Sequence, residues 1–227
     1  NNINLKIKAG ETVAIVGSTG AGKSTIINLL SRLYEFDSGE ITIDSKSIRL
    51  YDLKELRKHI AIVLQDVILF ADTIYNNITL FNNEISKTEV INSAKNIGVH
   101  DFISSLPGGY DYNVKERGVT LSSGQRQLIA FLRAYISNPE ILVLDEATSS
   151  IDSYSEEIIQ EATEKITKGK TSIIIAHRLA TIRNADRIIM MEKGRIVEEG
   201  THKELINLNE GHYSKLYKLQ FEEELIN

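Results

Sequence analysis

The chain has 227 residues, 42% hydrophobic and 25% charged, with a net charge of −5 and no cysteine. This is a globular composition on a chain long enough to bury a core, which excludes a disordered protein, a disulfide scaffold and a Cys-ligated zinc or iron–sulfur site. The acidic balance argues against nucleic-acid binding, and the longest apolar run, near Ile188 to Met191, is far short of the ~20 residues of a membrane span.

Ile3, Leu5 and Ile7 alternate with polar residues, which predicts a half-buried strand. With no Met at the start and a strand pattern already running, an upstream segment is expected. Thr12 to Val16 is nearly all apolar and predicts a strand buried on both faces. A glycine-rich loop, Gly17 to Thr25, leads into a helix through Ile26 to Leu33. Glu40 to Asp44 and Ile60 to Leu64 are further strands, the second ending at Gln65. Asp72 to Ser105 reads as mostly helical, with Ile74, Ile78, Val90, Ala94, Ile97, Phe102 and Ile103 as core. Pro107-Gly108-Gly109 breaks it.

Ser123 to Ile136 carries Leu128, Ile129, Leu132 and Ile136 on one helical stripe, and Asn138-Pro139 stops it. Ile141 to Leu144 is a buried strand that delivers Asp145-Glu146. Ser153 to Ile166 is a helix, and Thr171 to Ala176 a buried strand ending at His177. Arg187 to Met191 and Arg195 to Val197 are strands joined by a Lys193-Gly194 turn. His202 to Leu208 and Tyr213 to Leu225 close the chain as helices, and Glu222 to Glu224 read as a solvated tail. Alternating strands and helices imply an α/β fold: a P-loop core with a mainly parallel sheet, a small antiparallel β part, and a helical subdomain at about 70–136.

Three elements carry chemistry. Gly17-Ser18-Thr19-Gly20-Ala21-Gly22-Lys23-Ser24 is a P-loop pattern, set between a strand and a helix. Its glycines let backbone amides face an anion, and the helix that opens at Lys23-Ser24-Thr25 adds its positive end. Lys23 bridges the β- and γ-phosphates, and the Ser24 hydroxyl holds Mg²⁺. The chain is therefore expected to bind a nucleoside triphosphate. In the second element, a buried strand places two carboxylates at its C-terminal edge. Asp145 suits Mg²⁺, and Glu146 suits the polarisation of a water against the γ-phosphate. The alternative is a pair of acids capping the next helix. The third element, Leu121-Ser122-Ser123-Gly124-Gln125-Arg126-Gln127, opens a helix with small polar residues. It is either an ordinary Ser N-cap or a second anion-binding terminus.

The order P-loop, Gln65, Leu121-Ser122-Ser123-Gly124-Gln125, Asp145-Glu146, His177 resembles the nucleotide-binding domain of ABC transporters, from about residue 2 to residue 220. The resemblance implies that Gly17 to Ser24 are Walker A and Gln65 the Q-loop residue. Leu121 to Gln125 are the signature, Asp145 the Walker-B acid, Glu146 the catalytic carboxylate, Ser149 to Asp152 the D-loop, and His177 the switch histidine. It further implies that Ser122, Ser123, Gly124, Gln125 and Asp152 meet nucleotide across a dimer, that Ser24, Gln65 and Asp145 hold Mg²⁺, and that Glu146, His177 and Gln65 serve hydrolysis.

The stretch around Val63 to Phe70, and Val114 to Gly118 ahead of the signature, resemble exporters of the lipid-flippase and multidrug type, with Glu116 as the acid that faces coupling helices. The resemblance therefore implies ATP and Mg²⁺ as cofactors and a second nucleotide-binding domain as partner, in a homodimer or a paired half-transporter. It also implies a transmembrane domain of the same transporter, upstream of this chain, and a place on the cytoplasmic side of a membrane. Nucleic acid is not an expected partner. The alternatives are an ABC-type ATPase acting on DNA or the ribosome, which would add coiled coils or a basic excess, and a P-loop kinase or GTPase. Three residues depart from the family pattern: Ser123 and Lys115 each stand for a usual Gly, and Ile151 for a usual Leu. The adenine-stacking aromatic is expected upstream of residue 1, with Tyr34 or Tyr110 as the substitutes within the chain.

Overall fold

The computed structural model describes residues 3–145, 153–176 and 179–221. In chain order the elements are β1 (Thr12–Val16), α1 (Lys23–Leu30), β2 (Thr42–Ile43), β3 (Lys46–Ser47), α2 (Leu53–His59), β4 (Ile60–Val63), α3 (Ile74–Thr79), α4 (Lys87–Ile97), α5 (His100–Ser105), α6 (Ser123–Ile136), β5 (Ile141–Asp145), α7 (Ser153–Thr167), β6 (Thr171–Ile175), α8 (Leu179–Asn184), β7 (Arg187–Glu192), β8 (Arg195–Gly200), α9 (His202–Ile206) and α10 (His212–Phe221). The chain divides into two compact units. One holds residues 1–61, 140–146 and 169–227, and the other 62–139 and 147–168.

The first unit is built on a six-stranded sheet of order β4-β5-β6-β1-β7-β8. Strands β5, β6, β1 and β7 pair parallel, and β8 closes the edge antiparallel to β7. The apolar runs explain this. Val13 to Val16, Leu142 to Leu144 and Ile173 to Ile175 are all buried, as strands covered on both faces must be. β8 instead alternates exposed and half-buried residues, as an edge strand does. Parallel pairing puts the carboxyl ends of β1, β5, β6 and β7 on one edge of the sheet, the edge where open α/β folds bind ligands.

The second unit is helical. α6 packs against α3, α4 and α7. Every residue expected in the core of the 72–105 stretch is buried, from Ile74 to Ile103. Leu128, Ile129 and Leu132 are buried on α6, and Ile136, at its C-terminal end, is half-buried. The stretch is three helices rather than one run, because Leu80 ends α3 in the left-handed region and Gly98 ends α4 there.

Several expected elements differ. Residues 3–8 form no strand. Alternation alone makes no strand, since a ladder partner is also needed. Glu40 to Asp44 yields only the two residues of β2, paired with β3 across Asp44 and Ser45, both at positive φ. That conformation is the type I′ turn, one of the two favoured for two-residue hairpins. β4 stops at Val63 and β8 runs on to Gly200. Sequence reading missed α2 and α8. The first had a signal: Asp52 caps Lys54 and Glu55, and Arg57, Lys58 and His59 fill the last turn.

Candidate nucleotide-binding site

The loop Gly17 to Gly22 joins the end of β1 to the start of α1 in the first unit. Parallel register sets Val16 beside Met190, so Gly17 falls against Met191. A Cβ on Gly17 would lie 2.3 Å from the Met191 carbonyl oxygen, which explains the glycine. The loop tip, Ser18, Thr19 and Gly20, is exposed, and Ala21 is buried. Ala21 donates its N–H to the Ser18 carbonyl at 3.1 Å, so that amide belongs to the turn. At the helix start, Gly22 sits at φ 100° and supplies no side-chain cap, and the first turn of α1 holds no acid. The first amides of α1 thus have no capping side chain, and the positive helix end is not neutralised.

Lys23 is only 8% exposed. Its ammonium donates to the carbonyls of Gly17 at 2.6 Å and Ser18 at 3.1 Å, folding back over the loop. Burial pulls its pKa below the ordinary lysine range, and the charge of Asp145 works against that. Asp145 ends β5, in register with Ile175 of β6, on the same sheet edge as the loop. Among the described residues Lys23 has no ion pair with a carboxylate. The first unit therefore brings together a buried cation, a helix start with no capping side chain, the exposed hydroxyls of Ser24 and Thr25, and the Asp145 carboxylate. That set fits a polyphosphate.

Whether a metal fits can be judged from the donors. No cluster of three His, Cys, Asp or Glu occurs among the described residues. Ser24 and Asp145 supply hard oxygens only. Such a sparse oxygen set suits Mg²⁺, which typically binds through one or two protein oxygens, several waters and the phosphates of its substrate.

Gln65 lies in the second unit, exposed, beyond the end of β4. In the same unit Ser122 caps α6. Its hydroxyl accepts the Gln125 N–H at 3.2 Å, and the Gln125 side chain accepts the Ser122 N–H at 3.0 Å. This is the ordinary Ser N-cap of the two alternatives the sequence offered, extended to a capping box in which each side chain accepts the other residue's N–H. Ser123 is half-buried and Gly124 buried. A Cβ on Gly118 would lie 2.9 Å from Leu69 and 3.1 Å from Arg126, so the segment after Gln65 and the start of α6 meet at that glycine. Sequence reading assigned no role to two side chains of this unit. Asn77 is fully buried, holds both the N–H and the C=O of Phe70, and passes its own carbonyl to Arg133 at 2.9 Å. Their signal was weak: polar side chains inside apolar helical patterns.

Glu146, Ser149 to Asp152 and His177 lie outside the described residues. Of the substitutes for an adenine-stacking aromatic, Tyr110 is buried and bonded to His100 at 2.9 Å, so its ring is not available to a base; Tyr34 is exposed.

A family model described as ABC transporter matches residues 1–149. An ATP-dependent lipid A-core flippase of Syntrophus aciditrophicus is 50% identical over 225 residues, 99% of this chain and 37% of that protein. The alpha-hemolysin translocation ATP-binding protein HlyB of Escherichia coli is 52% identical over 220 residues, 97% of this chain and 31% of HlyB. A putative multidrug export ATP-binding/permease protein of Staphylococcus aureus is 51% identical over 219 residues, 96% of this chain and 38% of its own length. The solved structure of a bacterial Atm1-family ABC exporter with ATP bound matches with a TM-score of 0.86 at 42% identity, over 95% of this chain and 37% of that one. This chain thus spans between 31% and 38% of the length of these relatives.

Proposed function

The chain belongs to the ABC transporter family, and from that premise we propose that it is the ATP-hydrolysing motor domain of an exporter. The observation that carries the proposal is the buried Lys23 ammonium, folded over the Gly17 and Ser18 carbonyls on the same sheet edge as Asp145. A buried cation in a glycine cradle binds an anion, and a polyphosphate supplies one.

Lys23 moves from its carbonyls to the β- and γ-phosphates as ATP enters. The α1 amides hold the phosphate oxygens. Ser24 and Asp145 would hold Mg²⁺, with Gln65 as a further oxygen ligand. The ion neutralises charge on the β- and γ-phosphates when bound. Glu146 takes the proton of the attacking water, and His177 donates to the γ-phosphate. Ser123, Gly124 and their neighbours in the α6 cap reach the phosphates of a second copy or a paired domain, together with Asp152. Ser122 and Gln125 act there mainly by fixing the cap. Closure of two domains on ATP and reopening after hydrolysis form the two-state element that moves a membrane domain.

Among the described residues no helix is long and apolar enough to cross a membrane, so in this reading a transmembrane domain is a partner. The flippase, hemolysin-translocation and multidrug-export names of the relatives favour an exporter, and nothing in them favours action on DNA or the ribosome. The test is Mg-ATP hydrolysis by the chain and by Lys23→Ala. Loss of both binding and turnover in the variant is expected. Full binding by Lys23→Ala would overturn the assignment of the P-loop.

A further inference from the structure

The P-loop does not stand on its own strand and helix alone. The end of β7 and the turn that follows lean on it at three points. Gly17 passes so close to the Met191 carbonyl that a Cβ would lie 2.3 Å from that oxygen. Gly194 donates its N–H to the Ala21 carbonyl at 3.0 Å. A Cβ on Gly22 would lie 3.6 Å from the Gly194 Cα and from the Met191 methyl. One end of the loop is thus set by Met191, and its middle and far end by Gly194.

The turn has a demanding conformation. Glu192 pairs with Arg195, so Lys193 and Gly194 are the two loop residues, with φ 48° and 75°. Positive φ at both positions marks a type I′ turn, which favours Asn or Gly at the first and Gly at the second. Lys at the first position is an imperfect choice. Its side chain is 89% exposed and, among the described residues, meets only Glu192, at 3.8 Å. The ladder also shifts register between Met190 and Met191, the point at which the Met191 carbonyl turns to the loop. His212, at the start of α10, holds Glu192 at 2.9 Å from the other side.

We propose that the Lys193-Gly194 turn is a positioning element for nucleotide binding, with the backbones of Met191 and Gly194 holding the P-loop in its anion-binding shape. The Lys193 side chain is not part of the brace; only its backbone conformation is. If the turn relaxes, Gly194 leaves Ala21, and ATP must draw the loop back as it binds. The cost then appears in affinity rather than in the chemical step, because the loop regains the same shape once ATP is bound.

The inference rests on the P-loop being the nucleotide site. The test is titration of Mg-ATP into the native chain, Lys193→Gly and Lys193→Val, with kcat at saturating ATP and thermal melts. Lys193→Gly removes the charge and keeps positive φ. Lys193→Val removes the charge and disfavours positive φ more strongly than Lys does, because a β-branched side chain is an outlier there even among non-glycine residues. The expected dissociation constant is unchanged within about twofold for Gly and raised by about fivefold or more for Val, about 1 kcal/mol by conversion, with kcat at saturation equal. Lys193→Asn, a better type I′ residue, is expected to bind at least as tightly as Lys193→Gly, and it carries the test should the Val form fail to fold. Equal weakening in Gly and Val would assign the effect to charge and overturn the proposal. So would a lower melting point in Val with unchanged affinity, or an Asn form that binds more weakly than Gly. A native chain that does not bind ATP, or binds it no better than Lys23→Ala, would sink the site reading itself, and the brace with it.

Discussion

Ser122 and Gln125 close on each other at the start of α6. The serine hydroxyl takes the Gln125 N–H at 3.2 Å, and the glutamine carbonyl takes the Ser122 N–H at 3.0 Å. The segment that resembles an ABC signature is therefore first a helix cap. Two orphan amides are satisfied within the chain, and what remains to face a ligand is the backbone of Ser123 and Gly124. Ser122→Ala should cost ~1 kcal/mol of stability, the usual price of a lost Ser N-cap. Gln125→Ala should cost about half that, since water replaces an exposed bond. Denaturant melts of both variants check this. Equal stability of all three chains would remove the cap from the account.

Ser123 stands where the family pattern has glycine. It is the first residue of α6, half-buried, and its φ is not among the positive ones. A side chain is therefore tolerated by the backbone. Ser123→Gly should change ATP turnover less than about fivefold, on the order of 1 kcal/mol. Ser123→Asp should block turnover by setting a carboxylate against phosphate. ATPase rates of the three forms decide. A Gly form far faster than the native one would mean an impaired signature, as in one half of an asymmetric pair.

Lys115 carries backbone strain. It sits at φ 59°, ψ −174°, a region that suits glycine, with an exposed side chain, between Asn113 and the 3-10 turn at Glu116 to Gly118. Such a residue costs of order 1–3 kcal/mol, against ~0.5–1 kcal/mol for the extra freedom a glycine loses on folding. The strain wins. Lys115→Gly should therefore stabilise the chain by ~1 kcal/mol, a rise of ~2–4 °C in melting temperature. A melting point that falls would contradict this.

His202 meets the Tyr213 hydroxyl at 2.7 Å and packs against Tyr217. Burial, and then the charge of Arg183, hold its pKa below the ordinary 6.5. The folded chain thus binds this proton less readily than the unfolded one. Its contribution is intact above about pH 6.5 and is lost as pH falls through the lowered folded value. Between about pH 7.5 and about pH 5.5 the native chain should lose more stability than His202→Gln, in which nothing titrates at that position. Parallel melts across that range are the check, and identical slopes would refute it.

Much of the first unit was legible because its physics is local. Val13 to Val16 can hardly be anything but a buried strand, and the Gly17 to Ser24 spacing has one well-known mechanical use. The bounds of α6 were legible because Ser122 and Asn138-Pro139 punctuate both ends. The hairpin at Asp44-Ser45 and the absence of a strand at residues 3–8 were not, because strand pairing depends on distant partners. Nor was the contact of Met191 and Gly194 with the P-loop, which comes from the parallel register of β1 and β7. Asn77 and Arg133 were hidden because a polar residue in an apolar pattern usually reads as a surface position.

In the proposed motor, two such domains share each ATP. The most direct measurement is ATP turnover per chain as a function of chain concentration, carried down to where gel filtration shows monomer. Turnover that climbs with concentration and then levels off is expected. Glu146→Gln should form an ATP-dependent dimer with turnover reduced by ~10²–10⁴. Turnover per chain that stays constant into the monomeric range would contradict the sharing of ATP.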